Sequence, residues 1–152
     1  TIALLTSNAE QKNISIINKL DKETFVYADE NMMQSIFNNL VTNAIKFTNR
    51  NGQISLTTKR MDDMVCFSVK DNGVGMDENQ KSMIFEMGKN FTTPGTTNEK
   101  GSGLGMILCK DFIEKHGGEI WVESNSGKGS EFFFTIPATI KEKALIENYI
   151  VK

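Results

Sequence analysis

Between Asp29 and Asp71 the spacing of apolar residues changes period, and that change restricts the fold more than any other feature of the chain. Met33, Ile36, Phe37, Leu40 and Ala44 recur at helical spacing behind Asp29, a residue suited to capping a helix start. After the Asn51-Gly52 turn the pattern becomes alternation: QISLTTKRM and MVCFSVKD flank Asp62-Asp63, with Val65, Phe67 and Val69 on one face. A long helix ending at about Thr48 and followed at once by a hairpin predicts a helix lying on an antiparallel sheet.

The rest of the chain extends that pattern. The first dozen residues predict a short helix, and ISIINKL and TFVYA read as two strands joined into a hairpin by Asp21-Lys22-Glu23. Asp77 can cap a shorter helix through Phe85, and a further helix from Leu104 stops at Gly117-Gly118. EIWVES and SEFFFTIP supply two last strands, with Pro137 closing the sheet. The predicted class is α+β: a two-layer sandwich with one mixed, mostly antiparallel sheet and helices on a single face. Residues 1–137 form one domain in this reading, and 138–152 a tail or linker.

At 152 residues and 39% hydrophobic content, the chain can bury a sizeable core in one domain. A formal net charge of -2, with acidic and basic residues interspersed, argues against a nucleic-acid or anionic-membrane surface, which requires clustered Lys and Arg. Cys66 and Cys109 lack metal or disulfide spacing and read as buried small hydrophobes. No stretch approaches the roughly 20 apolar residues that span a bilayer, so the expected location is cytoplasmic. Opening on Thr1 instead of Met is expected of a piece of a longer protein.

Three polar clusters stand out. On the Asp29 helix, Asn39, Asn43 and Lys46 fall within a narrow arc beside the apolar face, with Asn38 turned to solvent. Two amides and an ammonium there can hold a hard cation and phosphate oxygens, or simply form a polar flank. DNGVGM, Asp71 to Met76, lies where a strand must turn; its carboxylate can accept from an exocyclic amine, though an Asp-Asn-Gly turn explains it equally. Gly101, Gly103 and Gly105 precede a helix, whose first N–H groups make an anion site, or else the glycines are a hinge. Their spacing is not GxGxxG, and Gly127-Lys128-Gly129-Ser130 lacks the earlier glycine of a Walker loop, Val122 standing in its place.

Taken in order, NLVTNAIKF, DNGVGM, IFEMGKNF and GSGLGM resemble the N, G1, F and G2 boxes of sensor histidine kinases, over roughly Asp29 to Pro137. The resemblance is to their catalytic and ATP-binding domain, of the Bergerat fold shared with gyrase B, MutL and the large heat-shock chaperones. It implies ATP and Mg²⁺ as ligands. By that likeness Asn43 would bind magnesium, Asn39 and Lys46 would contact phosphates, and Phe47 would lie against adenine. Asp71 would take the adenine amino group, Gly73 and Gly75 would shape the pocket, and Met76 would line it. Gly101, Gly103 and Gly105 would let Leu104 and its neighbours offer N–H groups to the triphosphate. Phe85 to Lys100 would be a mobile ATP lid packed down by Phe91, with Lys89 first and Lys100 second as its phosphate contact, since the usual lid arginine is missing.

The superfamily's hydrolases carry a glutamate where this chain has Asn39, and an amide is no general base. Transfer of the γ-phosphoryl group is therefore expected in place of hydrolysis. The acceptor implied is a histidine on a separate dimerisation domain of the same parent, because His116, the only histidine, sits at a helix end. A response regulator would lie downstream, and the parent would be a membrane-bound sensor with this part cytoplasmic. A regulatory pseudokinase, or a related serine kinase or slow ATPase, shares the same signature.

Overall fold

Asp29 starts the longest helix as its type predicts. The computed structural model describes residues 2–86 and 92–139. In it α1 (Ile2–Gln11) is followed by β1 (Ser15–Lys19), β2 (Phe25–Val26) and α2 (Glu30–Phe47). The Asp29 side chain accepts the Met32 N–H at 2.9 Å, meeting one of the donors that a helix start leaves unpaired. At the other end Thr48 is buried and its hydroxyl donates to the Ala44 carbonyl at 2.6 Å. Between them Ile36, Leu40, Val41, Ala44 and Ile45 form a buried stripe.

That stripe rests on a six-stranded sheet. β3 (Gln53–Met61) and β4 (Met64–Asp71) pair antiparallel with Leu56 opposite Val69, turning through Asp62 at φ 52°. The chain then forms α3 (Glu78–Met83) and α4 (Gly105–Lys115), and β5 (Ile120–Asn125) and β6 (Gly129–Thr139) complete the sheet. Strand order is β1-β3-β4-β6-β2, with β5 also on β6; only the β1–β3 pair is parallel. Alternation puts Leu56, Val65, Phe67, Val69, Phe134 and Ile136 on the helix side of the sheet, all buried. Phe37 of α2 meets Phe67 and Phe134 edge-on, with centroids at 5.6 and 5.4 Å, so three aromatic rings lock helix to sheet. Burying each such side chain contributes about 1.5–3 kcal/mol. Trp121 and Phe133 stack on the opposite face, 5.3 Å apart.

Two expectations are corrected. β1 and β2 do not form a hairpin: β1 pairs with β3, and β2 with the end of β6, at opposite edges of the sheet. Alternation marks a strand without naming its partner; β3 offers β1 a five-residue ladder, where β2 has only two residues to give. Pro137 does not close the sheet either. β6 continues to Thr139, since the Pro137 carbonyl still accepts the Tyr27 N–H at 3.0 Å and the Ala138 N–H reaches the Asp63 carbonyl at 2.8 Å. His116, at the end of α4, bonds the Phe112 carbonyl through Nδ1 at 2.6 Å and accepts the Asp29 N–H through Nε2 at 2.9 Å. It joins the end of one helix to the start of another. The tail from residue 140 lies outside the described residues.

Candidate functional site

β4 ends in a buried carboxylate. Asp71 is 4% exposed, and its Oδ1 accepts the N–H groups of Gly73 at 2.8 Å and Ser130 at 3.3 Å. Burial pushes its pKa up, while those two N–H groups pull the other way. Both bonds fall on Oδ1, so Oδ2 has no partner among the described residues.

The loop after Asp71 is held on three sides. Its Val74 N–H donates to the Phe47 carbonyl at the end of α2, at 3.0 Å, and its Asn72 N–H to the Gln53 carbonyl at 3.2 Å. From the β5–β6 turn, the Gly127 N–H reaches the Val74 carbonyl at 2.7 Å. Ser124 is the hub between them: Oγ accepts the Met76 N–H at 2.8 Å, donates to the Gly129 carbonyl at 2.9 Å, and lies 2.8 Å from Ser130 Oγ. The two turns approach so closely that side chains are excluded. A Cβ at Gly75, φ 66°, would collide with the Asn125 carbonyl, and one at Gly129, φ 95°, with the Asp71 carbonyl.

The other side is built from α2 and the start of α4. Asn39, Asn43 and Lys46 project from α2, and Lys46 Nζ stands 4.9 Å from the centre of the Phe47 ring. Gly101 lies against that ammonium and Gly105 against Asn39, where added Cβ atoms would sit 2.8 Å from Lys46 Nζ and 3.2 Å from Asn39 Oδ1. No side chain caps α4, so its leading N–H groups are left for another acceptor. Burial drives the Cys109 thiol up to about 12, with nearby Asn39 pulling the other way, and its Sγ donates to the Ile36 carbonyl at 3.8 Å. That thiol is a neutral packing group.

One cavity of about 400 Å³ joins the two sides, a size suited to a small-molecule ligand. Its wall includes Asn39, Asn43, Lys46, Phe47, Asp71 and Met76, together with Gly75, Gly101, Gly103 and Gly105. Lys100 also lines it. Gly73 does not; it stands behind Asp71 as a hydrogen-bond donor. Leu104 is off the wall as well, 58% exposed, with its N–H directed to Ser102 Oγ at 3.3 Å. Lys89 and Phe91 lie outside the described residues. Asn38 is corrected: it is half-buried on the cavity wall, because the cavity that residues 92–94 and 100–103 also line extends over a side of α2 that helical spacing alone assigns to solvent.

Sequence reasoning missed Ser124, Ser130, Lys12 and Glu99. Lys12, in the turn after α1, is 4% exposed; its ammonium donates to the Ile45 carbonyl at 2.8 Å and the Lys46 carbonyl at 3.1 Å and pairs with Glu99 Oε1 at 2.7 Å. For the serines a signal existed, in SNSGKGS following a strand; for Lys12 and Glu99, 87 residues apart in the numbering, there was none.

A buried carboxylate at a strand end, amides along one helix and an uncapped glycine-led helix facing a common cavity define a class of nucleotide-binding domain. The chain belongs to it: residues 28–140 match the family of histidine kinase-, DNA gyrase B- and HSP90-like ATPases. Sporulation kinase E of Bacillus subtilis is 37% identical over 139 residues, 90% of this chain and 18% of that protein. The catalytic domain of histidine kinase ThkA superposes with a TM-score of 0.74 at 36% identity, covering 89% of this chain and 86% of that one. ThkA is also solved in complex with the response regulator TrrA (34% identity, TM-score 0.71, 90% of this chain and 38% of that one). Full-length ShkA in complex with AMPPNP matches with a TM-score of 0.75 at 31% identity, over 91% of this chain and 28% of that one. The fold is thus that of histidine kinase catalytic domains. The chain spans 15% to 18% of the length of the first curated relatives it matches.

Proposed function

We propose that the chain is the catalytic, ATP-binding domain of a sensor histidine kinase, which binds Mg-ATP and transfers its γ-phosphoryl group to a histidine on a separate dimerisation domain. The observation that carries this reading is one cavity whose wall includes both Asp71, with no partner on Oδ2 among the described residues, and Gly105 at the uncapped start of α4. Asp71 Oδ2 would accept from the exocyclic amine of adenine, with Phe47 and Met76 along the purine. Asn39 precedes Phe47 by eight residues, about 12 Å along the helix axis, which sets the phosphates beside Gly105 and the α4 N–H groups. Lys46 and Lys100, both on the wall, would neutralise phosphate charge.

Asn43 would hold the magnesium ion. It is half-buried on the wall, and its amide has no partner among the described residues. No group of three His, Cys, Asp or Glu that could hold a metal occurs among the described residues, so the donor set fits an ion that arrives with triphosphate oxygens and water. When bound, such an ion supplies charge neutralisation at the transferring phosphoryl group.

Asp71 is the only carboxylate on the described wall, and neither His nor Cys accompanies it. No described group beside the phosphates can therefore deprotonate water, which favours transfer over hydrolysis. In the transfer, the bond from the γ-phosphorus to the bridging oxygen breaks, ADP leaves, and the phosphoryl group bonds to an imidazole nitrogen of the acceptor. His116 is tied up at the α4–α2 junction, which supports an acceptor elsewhere. The ThkA complex with TrrA supports a response regulator as the downstream partner. No described helix is long and apolar enough to cross a membrane.

The test is to incubate the chain with γ-labelled Mg-ATP and a histidine-bearing helical hairpin. Label should reach the hairpin, and Asn43→Ala should abolish both that transfer and the magnesium dependence of ATP binding. Stable label on the isolated chain, or equal ATP affinity in EDTA and in Mg²⁺ for the parent, contradicts the proposal.

A further inference from the structure

Lys12 lies outside the matched residues 28–140, yet among the described residues its side chain is one of the most buried charges. An ammonium carries three donors, and all three are used: two go to carbonyls in the last turn of α2 and the third to Glu99. The helix carbonyls are those left without a partner inside the helix, at the end whose dipole favours a cation. Lys12 is itself held from behind. Its carbonyl accepts the Asn51 N–H at 3.0 Å, Arg50 Nη1 donates to the Gln11 carbonyl at 3.0 Å, and Asn13 Nδ2 donates to Asn51 Oδ1 at 2.6 Å.

Glu99 gathers the segment in front of the glycine-rich helix start. Oε1 pairs with Lys12, Oε2 accepts the Thr97 N–H at 2.8 Å, and its carbonyl accepts the Gly95 N–H at 3.0 Å. Thr96 adds an N–H to the Lys46 carbonyl at 3.0 Å and a hydroxyl to the Thr48 carbonyl at 3.0 Å. Residues 95–99 are thereby moored to the end of α2, and the next two residues, Lys100 and Gly101, form part of the cavity wall, with Gly101 against Lys46 Nζ. A single buried ammonium therefore fixes the backbone of Lys46 from one side and the approach to Lys100 and Gly101 from the other.

We propose that Lys12 and Glu99 are a positioning pair for the phosphate end of the ligand: their contact sets Lys46, Lys100 and Gly101 at the spacing a triphosphate requires, and neither residue touches the ligand. This rests on the nucleotide reading above. It differs from a structural role in what it affects. A structural pair supports the purine and phosphate ends alike, whereas this pair acts only on ligands that carry phosphates beyond the first.

The experiment measures affinity for Mg-ATP and for AMP by calorimetry in the parent, Glu99→Gln and Lys12→Met. Glu99→Gln leaves Lys12 its two helix carbonyls and so keeps the fold; it should weaken ATP binding about threefold to fivefold, a modest coupling between contacting groups, and leave AMP affinity unchanged. Lys12→Met, if folded, should show the same selective loss, and the double variant no more than either single one. Unchanged ATP affinity in Glu99→Gln, or equal losses for ATP and AMP, overturns the pair's positioning role while leaving the nucleotide reading intact. A parent chain that binds neither nucleotide overturns the nucleotide reading and this inference with it.

Discussion

The two sides of the cavity are made by different means. Around Asp71 the wall is largely backbone bonded to backbone: the loop after β4 exchanges N–H and carbonyl groups directly with the end of α2, with Gln53 and with the β5–β6 turn, and the buried Ser124 hydroxyl and Asp71 Oδ1 add short side-chain links. Around Lys46 and Gly101 the wall is moored largely by longer side chains, through Lys12, Glu99 and the Thr96 hydroxyl, alongside the Thr96 N–H on the Lys46 carbonyl. Backbone contacts between close-packed turns admit almost no alternative arrangement. Side-chain tethers let go by rotation about single bonds, at a cost of one or two hydrogen bonds. On the proposed function, a domain that selects one base and then releases a spent nucleotide has reason to place the rigid construction at the base and the releasable one at the phosphates.

Gly129→Ala attacks the rigid side most directly. At φ 95° a Cβ would meet the Asp71 carbonyl, and both turns would have to move. The expected loss is about 2–3 kcal/mol of stability, read as a lowered thermal midpoint with nucleotide binding lost in parallel. A fully stable Gly129→Ala chain would show that the two turns are not in the contact described and would remove half of the comparison.

Asp71→Asn separates stability from recognition on that same side. Burial raises the folded pKa of Asp71 above 3.8, so ionising it costs more in the fold than in the unfolded chain. The stability it contributes is present below 3.8 and is lost as pH rises through the folded value. Replacing it with an amide that still accepts from Gly73 and Ser130 should therefore leave the thermal midpoint at pH 7 no lower. ATP affinity should fall by about 1–3 kcal/mol, because the amide can present a donor where the adenine amine needs an acceptor. Calorimetry showing parental affinity would remove Asp71 as the base anchor.

The same contrast governs what could be read from the chain beforehand. α2, α4 and the β3–β4 hairpin were legible because one burial face imposes one period, and Asn39, Asn43 and Lys46 followed from helical geometry. Asp71 was legible as a strand-end carboxylate, but its Oδ2 left free by two N–H groups on Oδ1 was not, since one donor comes from Ser130 on another strand. Strand partners were not legible either: β1 and β2 obey the right pattern and pair elsewhere. Lys12 was hidden for a plainer reason. A lysine reads as solvated surface, and only the convergence of two helix carbonyls and Glu99 at one point makes its burial possible.

The smallest expected effect tests the moored side by pH. Removal of Glu99 from water raises its pKa, but hydrogen bonds from Lys12 and the Thr97 N–H outweigh that and hold the carboxyl at about 2, against an ordinary 4.5. A lowered folded value means stability that is present above 4.5 and is lost as pH falls from there toward about 2. Asp71 runs the opposite way over the acid range, so Glu99→Gln must be compared with the parent at each pH instead of read from one curve. The thermal midpoint difference between the two should be constant near neutrality, shrink below pH 4.5 and vanish near pH 2. Its size should stay under about 1 kcal/mol, because about a third of the Glu99 side chain remains in contact with solvent, which screens the pair. A difference that persists unchanged into strong acid would mean that the carboxylate charge is not what moors the segment, and the side-chain tether would have to be assigned to Thr96 alone.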